Sequence, residues 1–259
     1  MTAPSISSDK VLHLHCPSRW GELSQEQLRY TLEMIGCGLY SDVEVRTYML
    51  FRFCGIEVLK KRPSAVSCRV RLENGKWHFF DMQEWQIQDM IGQLAFIGKP
   101  EEMDVRLEGI QTFRAVDRLL HGVSFMDYIN LELCYQGWLH NKSNERVEAM
   151  ARILYRDEKG HMPEKLDLDQ AELTGTLFWF YHIKREFARY FPHFFKPVNG
   201  ESGDKYNHLE AFNAQMRALT EGDVTKERKI QRTDCWRCLT ELDAKAREAE
   251  EFKKKYGDK

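Results

Sequence analysis

Hydrophobic residues recur every three or four positions along most of the chain, which is the spacing of amphipathic α-helices. The clearest stripe runs through the predicted helix 170–191 and consists of Leu173, Leu177, Phe180, Ile183, Phe187 and Tyr190. The same periodicity predicts helices at about 24–37, 42–60, 83–96, 124–139, 144–156, 170–191, 207–220 and 234–254. The chain is therefore predicted to be mainly α.

Three of these predicted helices begin with a capping box. In this device the first side chain accepts a hydrogen bond from a backbone N–H three residues later, and that later side chain reaches back. The three pairs are Ser24 with Gln27, Ser41 with Glu44, and Asp169 with Glu172. Each cap is worth about 1 kcal/mol of local helix stability, so these starts are well defined.

One segment alternates with period two instead. Apolar and polar residues alternate over 66–72, Asn74-Gly75 forms a tight turn, and Trp77 begins an aromatic return strand. We expect a β-hairpin at about 65–81. Breakers make 98–112 an extended connection and 196–205 a polar loop. The fold predicted is therefore two helical lobes, 1–108 and 109–259, with a small β-hairpin inserted in the first.

The composition is that of an ordinary soluble globular protein, with 42% hydrophobic and 30% charged residues among 259. The 38 Lys and Arg nearly balance the 40 Asp and Glu, so the basic surplus typical of nucleic-acid binders is missing. No signal peptide is evident, and the apolar run at 177–183 is far shorter than the ~20 residues that span a bilayer. We expect a cytoplasmic protein with no membrane partner. Seven cysteines, an odd number without framework spacing, indicate reduced thiols.

Cys235-Trp236-Arg237-Cys238 is the chain's C-x-x-C motif. A zinc site needs about four ligands, and the nearest ligand cluster in sequence is His13, His15 and Cys16, more than 200 residues earlier. Cys235 also belongs to an apolar helical stripe, with Cys238 beside it, and a buried cysteine behaves as a small hydrophobe. The favoured interpretation is two structural cysteines and no metal. The five Cys and His residues remain lower-ranked metal candidates.

No enzyme motif is present. The chain contains no G-x-x-x-x-G-K-[ST], no G-x-G-x-x-G and no G-x-S-x-G. We therefore predict a protein without catalytic activity or cofactor. The last helix is predicted to be the partner-docking element through Trp236, Leu239, Leu242, Ala246 and Ala249. The alternative is a helix packed on its own domain with one solvated face.

Three stretches carry a resemblance: CPSRWGELSQEQLRY, ARILYRDEKGHMP with FWFYHIKREFARYFPHFF, and ALTEGDVTKERKIQRTDCWRCLTELDAKAREAEE. Together they resemble a family of phage and prophage proteins from Bacteroidetes-type bacteria, similar to virion-morphogenesis proteins. The resemblance implies a non-enzymatic tail-assembly or connector-like protein that contacts other phage proteins or itself, in the cytoplasm of a bacterial host or in the virion. It also implies that Trp236, Leu239 and Leu242 define the last helix, whereas the positions of Cys235 and Cys238 vary.

Two alternatives stay open. The first is a DNA-associated accessory protein of a mobile element, which would use RVRLENGKWHFF or KERKIQR as a basic–aromatic contact. The second is a zinc-stabilised helical module built on Cys235 and Cys238.

Overall fold

The computed structural model describes residues 4–7, 11–196 and 208–257, and within them the protein is mainly α with minor β structure. The helices are α1 Gln25–Gly36, α2 Asp42–Phe53, α3 Glu84–Ile91, α4 Phe125–Asn141, α5 Asn144–Leu154, α6 Gln170–Tyr190, α7 His208–Thr220, α8 Glu227–Arg232 and α9 Cys235–Tyr256. The strands are β1 Ser5–Ile6, β2 Leu12–His13, β3 Ile56–Lys61, β4 Ala65–Arg71, β5 Trp77–Gln83, β6 Gly109–Ile110, β7 Phe113–Ala115 and β8 Tyr155–Arg156. They form the antiparallel sheets β1-β2, β3-β4-β5 and β6-β7-β8.

The chain divides into two compact units. Unit 1 comprises Met1–Leu107 and Asp169–Phe178, and unit 2 comprises Glu108–Leu168 and Trp179–Lys259. Helix α6 begins in unit 1 and ends in unit 2. Among the described residues, no helix is long and apolar enough to cross a membrane.

The three predicted capping boxes are confirmed. At the start of α1 the Gln27 N–H donates to Ser24 Oγ at 3.2 Å, and the Ser24 N–H donates to Gln27 Oε1 at 2.9 Å. The pairs Ser41 with Glu44 and Asp169 with Glu172 form the same reciprocal bonds. These local bonds satisfy backbone donors that a helix start leaves open.

The predicted helix 42–60 is wrong beyond Phe53. The chain leaves α2 at Gly55, whose φ of +63° is a left-handed conformation that glycine adopts readily. Residues after it form β3 and pair with β4. The predicted helix 83–96 also ends early, at Ile91, and continues as 3₁₀ turns over Gly92–Gly98.

The predicted hairpin is confirmed as β4 and β5, which pair from Ala65↔Gln83 to Arg71↔Trp77. Strand β3 makes it a three-stranded sheet. The other predicted helices match α1, α4, α5, α6, α7 and α9 within a few residues. Helix α8 and the two other sheets were not predicted, and the predicted loop 196–205 lies, beyond its first residue, outside the described residues.

The buried side chains of each unit show which side of its helices and strands packs inward. In unit 1 the inner face of the sheet contributes Ile56, Cys68, Val70 and Met82, all buried. The largest buried side chains of unit 2 lie on helices and on one short strand, and they include Phe125, Tyr155, Trp179, Phe180 and Phe187. The alternate residues of β3, β4 and β5 therefore form the outer face of this sheet.

Candidate functional site

The C-x-x-C motif lies at the N-terminus of α9, inside the core of unit 2. Cys235 and Cys238 are buried, and their thiols donate to backbone carbonyls, Cys235 Sγ to Leu120 O at 3.4 Å and Cys238 Sγ to Ile230 O at 3.9 Å. Burial, and next the nearby Asp234 carboxylate, raises the pKa of Cys235 and raises the pKa of Cys238 to about 11. Burial therefore favours the protonated form of both thiols, which pack as small apolar groups.

The other metal candidates belong to unit 1. His13 lies in β2, with His15 and Cys16 just after it. The neighbour of Cys16 is Cys54, whose thiol also donates to the His15 carbonyl at 3.7 Å. A hydrogen bond from Cys54 lowers the pKa of Cys16, and the same bond together with burial raises the pKa of Cys54. Within the described ranges, no three His, Cys, Asp or Glu side chains form a group that could hold a metal ion.

The predicted docking residues of α9 fall into two groups. Leu239 and Leu242 are buried, and Trp236 is largely enclosed by aromatic rings of its own unit. These three residues pack against their own unit, so the prediction that they form a docking surface is wrong. For them the alternative applies, in which the helix packs on its own domain. Ala246 is half-buried and Ala249 is exposed, so the docking prediction now depends on these two.

A different surface combines exposed aromatic and basic side chains. It is the outer face of the sheet β3-β4-β5, and we call it the basic–aromatic face. Its residues are Glu57 and Lys60 on β3, Ser67, Arg69 and Arg71 on β4, and Trp77, Phe79 and Asp81 on β5. They share one face because side chains of a strand alternate between the two sides of its sheet.

Two aromatic rings stand on this face. Phe79 is 62% exposed and Trp77 is 41% exposed. In the register of the sheet, Trp77 lies opposite Arg71, and Phe79 lies opposite Arg69. Single exposed hydrophobic residues are common on proteins, but two large rings side by side on one open strand form a surface that suits a planar ligand.

One arginine positions the tryptophan. The Arg69 guanidinium lies 4.2 Å from the centroid of the Trp77 ring, and it forms an ion pair with Glu57 at 2.6 Å. Arg62 is paired similarly, with Asp81 at 3.2 Å. Both pairs are partly exposed, so each is worth at most about 1 kcal/mol. They hold side chains in place more than they stabilise the unit.

The remaining cations are unpaired. Lys60, Lys61, Arg71 and Lys76 are exposed, and none takes part in an ion pair with another described residue. Segment 56–83 contains six Lys and Arg against three Asp and Glu, a local charge of +3 in a chain whose formal net charge is −2. The eight residues of the basic–aromatic face itself carry +1, because Glu57 and Asp81 offset two of its three cations, and the rest of the surplus lies beside the face on the same segment.

The second predicted basic segment, KERKIQR, consists of Lys226 followed by the six residues of α8. Lys226, Arg228, Lys229 and Arg232 are exposed, but the segment carries no aromatic side chain. Its local charge is +3, the same as that of 56–83. The two segments therefore have the same net charge, spread over 28 residues in 56–83 and over seven in KERKIQR, and only 56–83 carries aromatic side chains.

The opposite side of β5 borders a cavity of about 410 Å³, which lies within the size range of small-ligand pockets. It is lined by residues that include His13, His78, Phe80, Met82 and Met90. His78 and Phe80 stack with centroids 5.9 Å apart. The lining also includes Asp81, whose carboxylate pairs with Arg62, so two histidines and one carboxylate border the cavity.

Sequence reasoning identified β4 and β5 of the basic–aromatic face and missed β3. Glu57 and Lys60 lie within the predicted helix 42–60, and a helix gives no indication that they pair across the sheet with Arg69 and Ser67. A signal was available, because Gly55 interrupts the helical pattern and the β-branched Ile56 and Val58 follow it.

The chain matches no protein-family model, no curated protein and no solved structure.

Proposed function

We propose that this protein is a non-enzymatic accessory protein of a phage or prophage, and that it binds nucleic acid through the basic–aromatic face. The observation that carries the proposal is the exposed pair Trp77 and Phe79 on β5. Of the unpaired cations, Arg71 lies opposite Trp77, Lys76 directly precedes it, and Lys60 lies across the sheet on β3. Aromatic rings next to cations are the usual elements of surfaces that bind strands without sequence preference.

Local charge, and not the net charge of the chain, determines which ligands are attracted to this face. Protein–protein assembly is the function predicted first from the sequence, because no enzyme motif is present, because several helices are amphipathic and because the whole chain lacks a basic surplus. The charge of the whole chain averages over both units, whereas phosphate responds to charges within about 10 Å at 0.1 M salt. The segment 56–83 carries +3, of which +1 lies on the face itself, and this local surplus favours a polyanion there.

An assembly role is the second proposal, and a different surface supports it. On the C-terminal half of α9, Phe252 and Tyr256 are exposed and their rings pair at 4.8 Å. Ala249 is exposed one turn earlier. We propose that this α9 surface contacts another phage protein or a second copy of the chain, in the bacterial cytoplasm or in the virion. We also propose the two lobes predicted from the sequence, 1–108 and 109–259. The basic–aromatic face lies in the first of them and the α9 surface in the second.

Fluorescence anisotropy with a labelled 20-nucleotide strand tests the first proposal. The charge reversal Lys60→Glu with Arg71→Glu should weaken binding at least tenfold and reduce the slope of log affinity against log salt by about 1.4. The matched control, Arg228→Glu with Lys229→Glu on α8, changes the net charge equally and should alter affinity less than twofold. Absence of binding at low salt, or equal losses in both double variants, would overturn the proposal.

Sedimentation analysis tests the second proposal. If α9 mediates self-association, the wild-type protein sediments as an oligomer, and Phe252→Ala with Tyr256→Ala sediments as a monomer. A wild-type monomer at all concentrations removes self-association, and a pull-down with co-expressed neighbouring gene products then tests the other partner class.

A further inference from the structure

We infer that the basic–aromatic face binds single-stranded nucleic acid in preference to duplex, with bases stacked on Phe79 and Trp77. This inference rests on the proposed function and specifies its ligand. It follows from the spacing of the two rings, from their accessibility and from the position of the unpaired cations.

The spacing of the rings disfavours stacking by the bases of an intact duplex. Trp77 and Phe79 are two residues apart on β5, so they project from the same face about 6.8 Å apart along the strand. Stacked bases within one strand of a duplex are about 3.4 Å apart. Two successive bases can therefore lie on both rings only after they separate from each other. A single strand does so readily, whereas a duplex must first lose pairing and stacking.

The two rings differ in accessibility, and this determines which one carries more of the binding. Phe79 is 62% exposed, and none of the described aromatic or cationic side chains stacks on it. Arg69 covers one side of the Trp77 ring and is held there by Glu57. A base must therefore stack on the other side of Trp77 or displace Arg69. We expect Phe79 to be the principal stacking residue.

The cations lie where a phosphate backbone would run. Arg71 is opposite Trp77 in the sheet, and Lys76 directly precedes Trp77. Lys60 lies opposite Ser67, which in turn lies opposite Asp81, one alternation beyond Phe79. Unpaired cations thus lie toward both ends of the ring pair. A strand stacked on the rings can extend its phosphates toward both ends.

A binding series with one labelled 20-nucleotide DNA strand, the RNA strand of the same sequence and the 20-base-pair duplex tests this inference. The single strands should bind at least tenfold more tightly than the duplex at the same salt concentration. Phe79→Ala should weaken single-strand binding about tenfold, since each stacked base contributes substantially. Phe79→Tyr, which keeps the ring, should remain within twofold of wild type. Tyr181→Ala is the matched control and should also remain within twofold of wild type, because this ring is 42% exposed on α6 in unit 2 and belongs to neither proposed surface.

The outcomes separate the inference from the proposed function. If duplex binds as tightly as single strand and Phe79→Ala has no effect, while Lys60→Glu with Arg71→Glu still weakens binding, the proposed function stands and the inference is wrong. If no nucleic acid binds, the proposed function fails. If polyglutamate displaces the strand at equal charge concentration and Phe79→Ala is neutral, the face is an acidic-peptide site, which also overturns the inference.

Discussion

His121 and Trp236 are stacked in unit 2, with ring centroids 4.3 Å apart and planes inclined by 22°. The Trp236 indole N–H donates to the Leu119 carbonyl at 2.5 Å. Phe187, Tyr190 and Phe191 enclose the same indole, with centroids 5.2–5.5 Å from it. The tryptophan of the C-x-x-C motif therefore fixes the loop 119–121 and the end of α6 against the start of α9.

Trp236→Ala should lower the unfolding free energy by about 3 kcal/mol, because it removes a large packed ring and leaves a cavity. Chemical denaturation followed by far-ultraviolet circular dichroism measures the loss. Trp85→Ala is the control, since Trp85 is 69% exposed and its removal should cost no more than about 0.5 kcal/mol. Equal losses in the two variants would mean that the aromatic cluster does not stabilise unit 2.

Asp234 connects the same loop to α9 through its carboxylate. It accepts from the Trp236 N–H at 2.9 Å as the helix N-cap, and from the Gly122 N–H at 2.5 Å. Asp234→Ala removes both acceptors and should cost about 2 kcal/mol. Asp234→Asn keeps only one of the two acceptor oxygens and turns an NH2 toward the other N–H, so it should recover at most about half of that loss in the same denaturation experiment. An Asn variant as stable as wild type would contradict the prediction that both oxygens stabilise the fold.

The buried thiols predict a loss of stability at alkaline pH. An unfolded cysteine ionises near pH 8.5, whereas burial raises the pKa of Cys238 to about 11 and raises that of Cys235. Above about pH 8.5 the unfolded chain therefore loses protons that the folded chain retains. The unfolding free energy should fall by about 1.4 kcal/mol per pH unit for each thiol, and the stabilisation is fully present below that pH.

The double variant Cys235→Ala with Cys238→Ala isolates this effect from other groups that titrate in the same range. At pH 7 it should be folded and less stable than wild type by about 1–2 kcal/mol of packing. Between pH 8.5 and 10.5 the difference between the two proteins should shrink to zero and then reverse in sign, because two thiols together lower the wild-type unfolding free energy by about 2.8 kcal/mol per pH unit. Parallel stability curves would contradict the prediction, and loss of the fold together with loss of bound zinc would restore the metal site.

Helix starts could be predicted from the sequence because their chemistry is local. Ser24 and Gln27 carry all the groups that form their capping box, so the residue types alone specify the bonds. The end of α2 could not be placed in the same way. Ile56 and Leu59 continue the apolar spacing of the helix, and only their pairing with β4, together with the left-handed Gly55, makes them a strand.

The candidate surfaces show the same limit. The alternation of β5 puts Trp77 and Phe79 on one face, which sequence alone indicates. Whether that face is covered depends on contacts between distant segments. The apolar stripe of α9 differs in this respect. Its residues Leu239 and Leu242 are buried in unit 2, whereas Trp77 and Phe79 are exposed. Periodicity identifies an apolar face but not what covers it.

Gly36, in the last turn of α1, supplies a final test of packing in unit 1. A Cβ at this position would collide with Thr174 Oγ1 and with the Gln170 side chain of α6. Alanine is favoured over glycine within a helix by about 1 kcal/mol, but overpacking costs about 1–3 kcal/mol. Gly36→Ala should therefore destabilise the protein. Gly92→Ala is the control, because it has helical dihedrals and open space around its Cβ, and it should be neutral or stabilising. If thermal denaturation shows both variants stabilised, α1 and the first half of α6 do not approach as closely as Gly36 requires.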